Sequence, residues 1–98
     1  MNTASNTVTK AFMGTFTFRI GDFERKLNAI FIVPEQSEES PEMVFEKSLK
    51  DEFGYSSNDH ENGAFYCDGD ALCRPERVDP LTQDMYDYLR NIGFSQLN

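Results

Sequence analysis

His60 stands between Asp59 and Glu61, Cys67 and Cys73 lie six positions apart, and Asp68 and Asp70 flank Gly69. These side chains come nearest, by type and spacing, to doing chemistry. An imidazole beside a carboxylate is an acid–base group or part of a metal site. No second histidine exists to assist this one, so it reads as a solvated loop residue. Asp68, Asp70 and the nearby Asp79 offer oxygen to calcium or magnesium, yet the twelve-residue ligand series of a calcium loop is missing. The Asp-Gly-Asp triplet therefore reads as a tight turn. Cys67, Cys73 and His60 supply three zinc-type ligands without a fourth at recognisable spacing. No CxxC, HExxH or Gly-rich phosphate loop occurs, nor a nucleophile beside an organised base. The expectation is a non-enzyme with no catalytic residues, no metal and no cofactor.

Charge is more informative than any motif. Seventeen acidic residues oppose nine basic ones, for a net charge of −8. Residues 1–33 carry four bases and two acids, +2, whereas residues 34–98 carry five bases and fifteen acids, −10. That field opposes a phosphate backbone, so direct nucleic-acid binding is not expected unless Lys10, Arg19, Arg25 and Lys26 form a separate basic patch. An acidic body suits a cationic surface on another protein instead, although the same charge also serves solubility. The densest run is EQSEESPEMVFEKSLKDEF, residues 35–53. Glu35, Glu38, Glu39, Glu42 and Glu46 lie there with no base before Lys47, and Asp84 and Asp87 add charge near the C-terminus. These seven are the candidate partner-binding residues. On one continuous helix, residues four apart rise about 6 Å, so Glu38, Glu42 and Glu46 would form a row on the scale of successive phosphates.

The elements that must position these side chains follow from periodicity. Phe12, Gly14, Phe16, Phe18 and Ile20 share one parity, and Met13, Thr15, Thr17 and Arg19 the other, which predicts a half-buried strand. Gly21-Asp22 predicts a turn into a second strand over residues 23–33, where a helix is the weaker competitor because Ile30–Val33 is β-branched and aromatic and ends at Pro34. Ser40-Pro41 predicts a helix start and Gly54 its end. Phe45, Leu49 and Phe53, widened by Met43 and Val44, make its apolar face. Glu46–Lys50 and Lys47–Asp51 are the expected surface pairs. Residues 55–63 read as a loop, residues 64–73 as a short hairpin, and Asp79-Pro80 as the start of a second helix ending at Gly93. Leu81, Met85, Tyr88, Leu89 and Ile92 would be its apolar face, while Tyr86 and Arg90 would face a partner.

The expected fold class is α+β, a small antiparallel sheet with two helices packed on one face. Ninety-eight residues make one domain, with 1–9 a flexible arm, 10–94 the folded unit and 95–98 a frayed end. No apolar run is long enough to span a membrane, and MNTASNTVTK lacks the apolar segment of a secretory signal. A cytoplasmic location with reduced thiols at Cys67 and Cys73 is expected.

Size, acidity and the two-helix pattern resemble the small phage-encoded inhibitors of host defence, of the anti-restriction and anti-CRISPR kind. No motif transfers a residue from that group to this chain. The resemblance implies a viral protein in the host cell cytoplasm, acting as an acidic inhibitor that occupies a cationic nucleic-acid-binding surface. Its partner would be a nucleic-acid-processing or CRISPR complex. The alternative is a regulatory or structural protein-interaction module without nucleic-acid mimicry. A homodimer is compatible with either.

Overall fold

The computed structural model describes residues 9–59, 63–67 and 71–98. The alternating segment forms β1 (Thr9–Ile20), and the ambiguous one resolves as its antiparallel partner β2 (Phe23–Pro34), paired from Thr9↔Pro34 to Ile20↔Phe23. Gly21 at the first central position of the turn has φ 59°, and among the described residues only glycines take a positive φ. A two-residue loop with that signature matches the right-handed twist of the strands it joins. Helix α1 (Pro41–Phe53) starts where Ser40 Oγ accepts the Met43 N–H and ends at Gly54, φ 89°, whose N–H bonds Lys50 O. The sheet is completed by β3 (Ser57–Asp59), β4 (Ala64–Tyr66) and β5 (Leu72–Leu81), in the order β2-β1-β5-β4-β3 with every neighbour antiparallel. Helix α2 (Gln83–Asn91) closes the fold.

The α+β class, with two helices packed against an antiparallel sheet, is as expected. The helices, however, take opposite faces of that sheet rather than one. Side chains of alternating residues in a strand point to opposite faces. On one face Phe16, Ala29, Phe31 and Val33 pack with Phe45 and Leu49 of α1. On the other, Ala11 and Ile30, flanked by Met13 and Ile32, pack with Tyr86 and Leu89 of α2. Burying both parities of β2 requires a second cover, and α2 supplies it.

The first core is built from rings. Phe45 stacks on Phe31 at 5.3 Å with the planes 8° apart, Phe31 stacks on Phe12 at 5.7 Å, and Phe16 meets Phe45 edge-on at 6.1 Å. Phe53 at the far end of α1 rests against Phe16 and Phe18. Gly14 lets this happen: a Cβ there would collide with the Cε1 edge of the Phe45 ring. Burying a ring such as Phe45, 1% exposed, contributes about 1.5–3 kcal/mol.

β5 departs most from expectation. Asp79-Pro80 does not open a helix; it lies inside the strand, and α2 starts three residues later with Thr82 Oγ1 accepting the Met85 N–H. A strand tolerates proline only where no ladder donor is needed. Pro75 and Pro80 are an odd number of residues apart and would face opposite edges of a regular strand. The register slip between Thr15 and Phe16 inserts Glu76 as a bulge, so Pro75 pairs with Phe16 and Pro80 with Phe12, residues of like parity. Those β1 residues direct their backbone groups toward β2, so neither proline is asked to donate.

The later start rotates α2. Tyr86 is 3% exposed, while Tyr88 is 61%, Ile92 59% and Met85 48% exposed, so Tyr86 takes the place of these three on the buried face, where Leu89 packs as expected. Leu81 belongs to β5 and packs on the second core from there. Gly93 does end the helix, with φ 83°, its N–H bonding Arg90 O and the Phe94 N–H bonding Leu89 O. That is the Schellman arrangement, and Phe94 folds back onto the second core.

The last residues do not fray. The Ile30 N–H bonds Ser95 O at 2.8 Å, the Leu97 N–H bonds Ile30 O at 3.0 Å, and the Asn98 amide exchanges two bonds with the backbone of Ile32 at 2.9 Å each. The tail thus lies parallel along the outer edge of β2. Thr9 already belongs to β1; the rest of the expected arm, residues 1–8, lies outside the described residues.

Candidate functional site

The acidic run divides as it folds. Glu35 and Glu38 sit on the connection between β2 and α1, before the Ser40 cap, so Glu38 is not on the helix and no three-glutamate helical row exists. Glu42 occupies the first turn of α1, where the helix dipole favours a carboxylate. Glu39 is held by Lys47 at 2.8 Å, which takes the place of the expected Lys47–Asp51 pair and raises the Lys47 pKa. Glu46 pairs with Lys50 at 2.8 Å as expected. Lys50 is half-buried and also lies 4.3 Å from the Tyr55 ring centroid. Asp84 and Asp87 are exposed on α2, behind the sheet from α1, with Asp87 accepting from Gln83 Nε2. Glu35, Glu38 and Glu42 lie where the chain passes from β2 into α1, Glu35 beside a cleft that Lys10 also lines and Glu42 on the β5 side of the helix. All three are exposed and make no salt bridge among the described residues.

Internal bases are largely spent. Of the five in residues 34–98, Lys47, Lys50, Arg74 and Arg77 pair with Glu39, Glu46, Glu76 and Asp79. The fifth, Arg90, lies 5.9 Å from the Tyr86 ring centroid and covers it, so Tyr86 is not available to a partner. The unpaired surplus is therefore negative.

Two clefts open along α1 toward the sheet edge. One, about 180 Å³, lies between Glu42, Glu46 and the β5 segment Pro75–Val78. The other, about 230 Å³, lies between Glu46, Asn58, Asp59 and Phe65. Both are shallow and carboxylate-rimmed. Among the described residues no group of three or more His, Cys, Asp or Glu side chains could hold a metal ion. His60 and the Asp68–Asp70 turn lie outside the described residues; Cys67 N–H bonding Ala71 O at 2.8 Å closes the mouth of that hairpin. Cys67 and Cys73 are buried thiols, not joined in a disulfide. Burial, with Cys67 beside it, pushes the Cys73 thiol up to about 12, which leaves it protonated and a poor nucleophile at neutral pH.

The sequence missed two surfaces. Ile20 and Phe23 flank the β1–β2 turn and are 55% and 60% exposed. Beside them, the outer edge of β2 is bare from Phe23 to Asn28, where the tail stops. The signal was present in the apolar pair bracketing Gly21-Asp22. No family model matches this chain, and neither do any curated protein or solved structure.

Proposed function

We propose that this protein is an acidic, non-catalytic inhibitor that binds another protein through the Glu35–Glu42 end and occupies a cationic, nucleic-acid-binding surface there. The observation that carries the reading is that Glu35, Glu38 and Glu42 stay exposed and unpaired while nearby Lys47 and Lys50 are committed to Glu39 and Glu46. The helix dipole accounts for Glu42 alone; Glu35 and Glu38 precede the helix and do no comparable structural work. A carboxylate cluster of this kind suits arginine and lysine side chains that otherwise hold phosphates. A nucleic-acid-processing complex of a host defence system, CRISPR effectors included, has the required surface, and the cytoplasm is the compartment where the two would meet.

The test is capture from a bacterial lysate on the immobilised protein, with and without nuclease. The expected result is nuclease-resistant retention of a nucleic-acid-processing protein that weakens as salt rises and is displaced by added duplex DNA. The variant Glu35→Lys/Glu38→Lys/Glu42→Lys should lose that retention while its circular dichroism stays unchanged. Retention that requires nucleic acid, or that the triple variant leaves intact, overturns the proposal.

A further inference from the structure

We infer that two copies of this chain pair through the bare outer edge of β2 to form one continuous ten-stranded sheet. The tail shows which way the edge points. Ile30 and Ile32 direct their backbone groups outward, where Ser95, Leu97 and Asn98 satisfy them. By the strand alternation, Glu24, Lys26 and Asn28 direct theirs outward as well. No described backbone group bonds them on that side. Exposed strand edges of this kind are templates for another strand.

The side chains select the occupant and the register. Two-fold antiparallel pairing centred on Arg25 sets Glu24 of each copy opposite Lys26 of the other. Centring it on Glu24, Arg25 or Lys26 sets one like-charged pair on the axis in each case, and only the Arg25 register offsets that pair with two opposite-charge pairs between residues of β2. In this register Glu24 and Lys26 form narrow pairs, each exchanging two main-chain bonds. On the α1 side it places Phe23, 60% exposed, opposite Leu27 of the second copy, and so covers an apolar ring that the single chain leaves in water. The two Arg25 side chains meet on the axis, where each lies within diagonal reach of a Phe23 ring. Charge, donors and apolar surface agree on a second copy, and the Glu35–Glu42 end takes no part.

The test is sedimentation equilibrium of the intact protein over a range of concentrations near physiological salt. The expected result is a monomer–dimer equilibrium that Lys26→Glu weakens about tenfold or more and that Glu24→Lys/Lys26→Glu restores. Circular dichroism checks that the variants are folded. Should Lys26→Glu unfold, amide exchange of wild-type Glu24 and Lys26 decides: it should slow as protein concentration rises. A monomer at every concentration, a dimer indifferent to Lys26→Glu, a folded double variant that stays monomeric, or exchange independent of concentration would each overturn the inference.

Discussion

Gly14 is the residue on which the first core turns, because Phe45 occupies the space a side chain would need. Phe45 is held on its other sides by Phe31 and Phe16, so the ring cannot step aside. Gly14→Val is expected to cost about 1–3 kcal/mol through overpacking, read as a lower urea midpoint. Glu76 gives a pH-dependent counterpart. The buried Thr17 hydroxyl donates to its carboxylate at 2.7 Å and Arg74 at 2.9 Å, and both hold its pKa below the ordinary 4.5. A lowered folded pKa means that this contribution is complete above 4.5 and is lost as pH falls through the folded value. Glu76→Gln should therefore lower the thermal midpoint at neutral pH, with the gap to wild type closing as pH falls below 4. At this scale the sequence was legible for rings and caps: the Phe parity of β1, Ser40-Pro41, Gly54 and Gly93 all act as their types dictate. It was not legible for pairing choices such as Lys47 with Glu39 over Asp51, because those depend on how the connection before Ser40 folds back.

At the scale of elements, β1, β2, α1 and the closing turn of α2 follow from local pattern, and β5 does not. Asp-Pro is a good helix opening in isolation; only the bulge at Glu76 lets both prolines sit in a strand, and a bulge is a property of a pair of strands. β3 is polar throughout and carries no alternation to read. The second face was foreshadowed by residues 29–33, where AIFIV is apolar at both parities, the pattern of a strand covered on both sides. The tail had no signal, since its hold rests on two backbone bonds to Ile30 and on the Asn98 amide standing in for a peptide group at Ile32. Asn98→Ala is expected to cost about 0.5–1.5 kcal/mol and to speed amide exchange at Ile32 well above that at Ile30, which Ser95 still engages.

Over the whole molecule, composition foretold a negative surplus and its location after residue 33, but not its division. Ion pairs absorb part of it, α2 carries part of it behind the sheet, Asp51 and Glu52 are exposed at the far end of α1, and Glu35, Glu38 and Glu42 lie where the chain passes from β2 into α1. The twelve-residue strands set that end about 40 Å from the hairpin turn, along the 52 Å length of the molecule. In the paired form the two acidic ends would point away from each other, some 60 Å apart by the same rise per residue, leaving both accessible.

The prolines of β5 have a consequence for how far such growth could run. Along the border of β5 from Pro75 to Pro80, regular positions facing outward are Pro75, Val78 and Pro80, and only the valine retains a hydrogen to offer. That stretch is a poor landing for a newcomer, so once the opposite side is consumed by a two-fold mate, further growth is left with the three residues of β3 at the far margin of the sheet, a short border of the kind that discourages fibres.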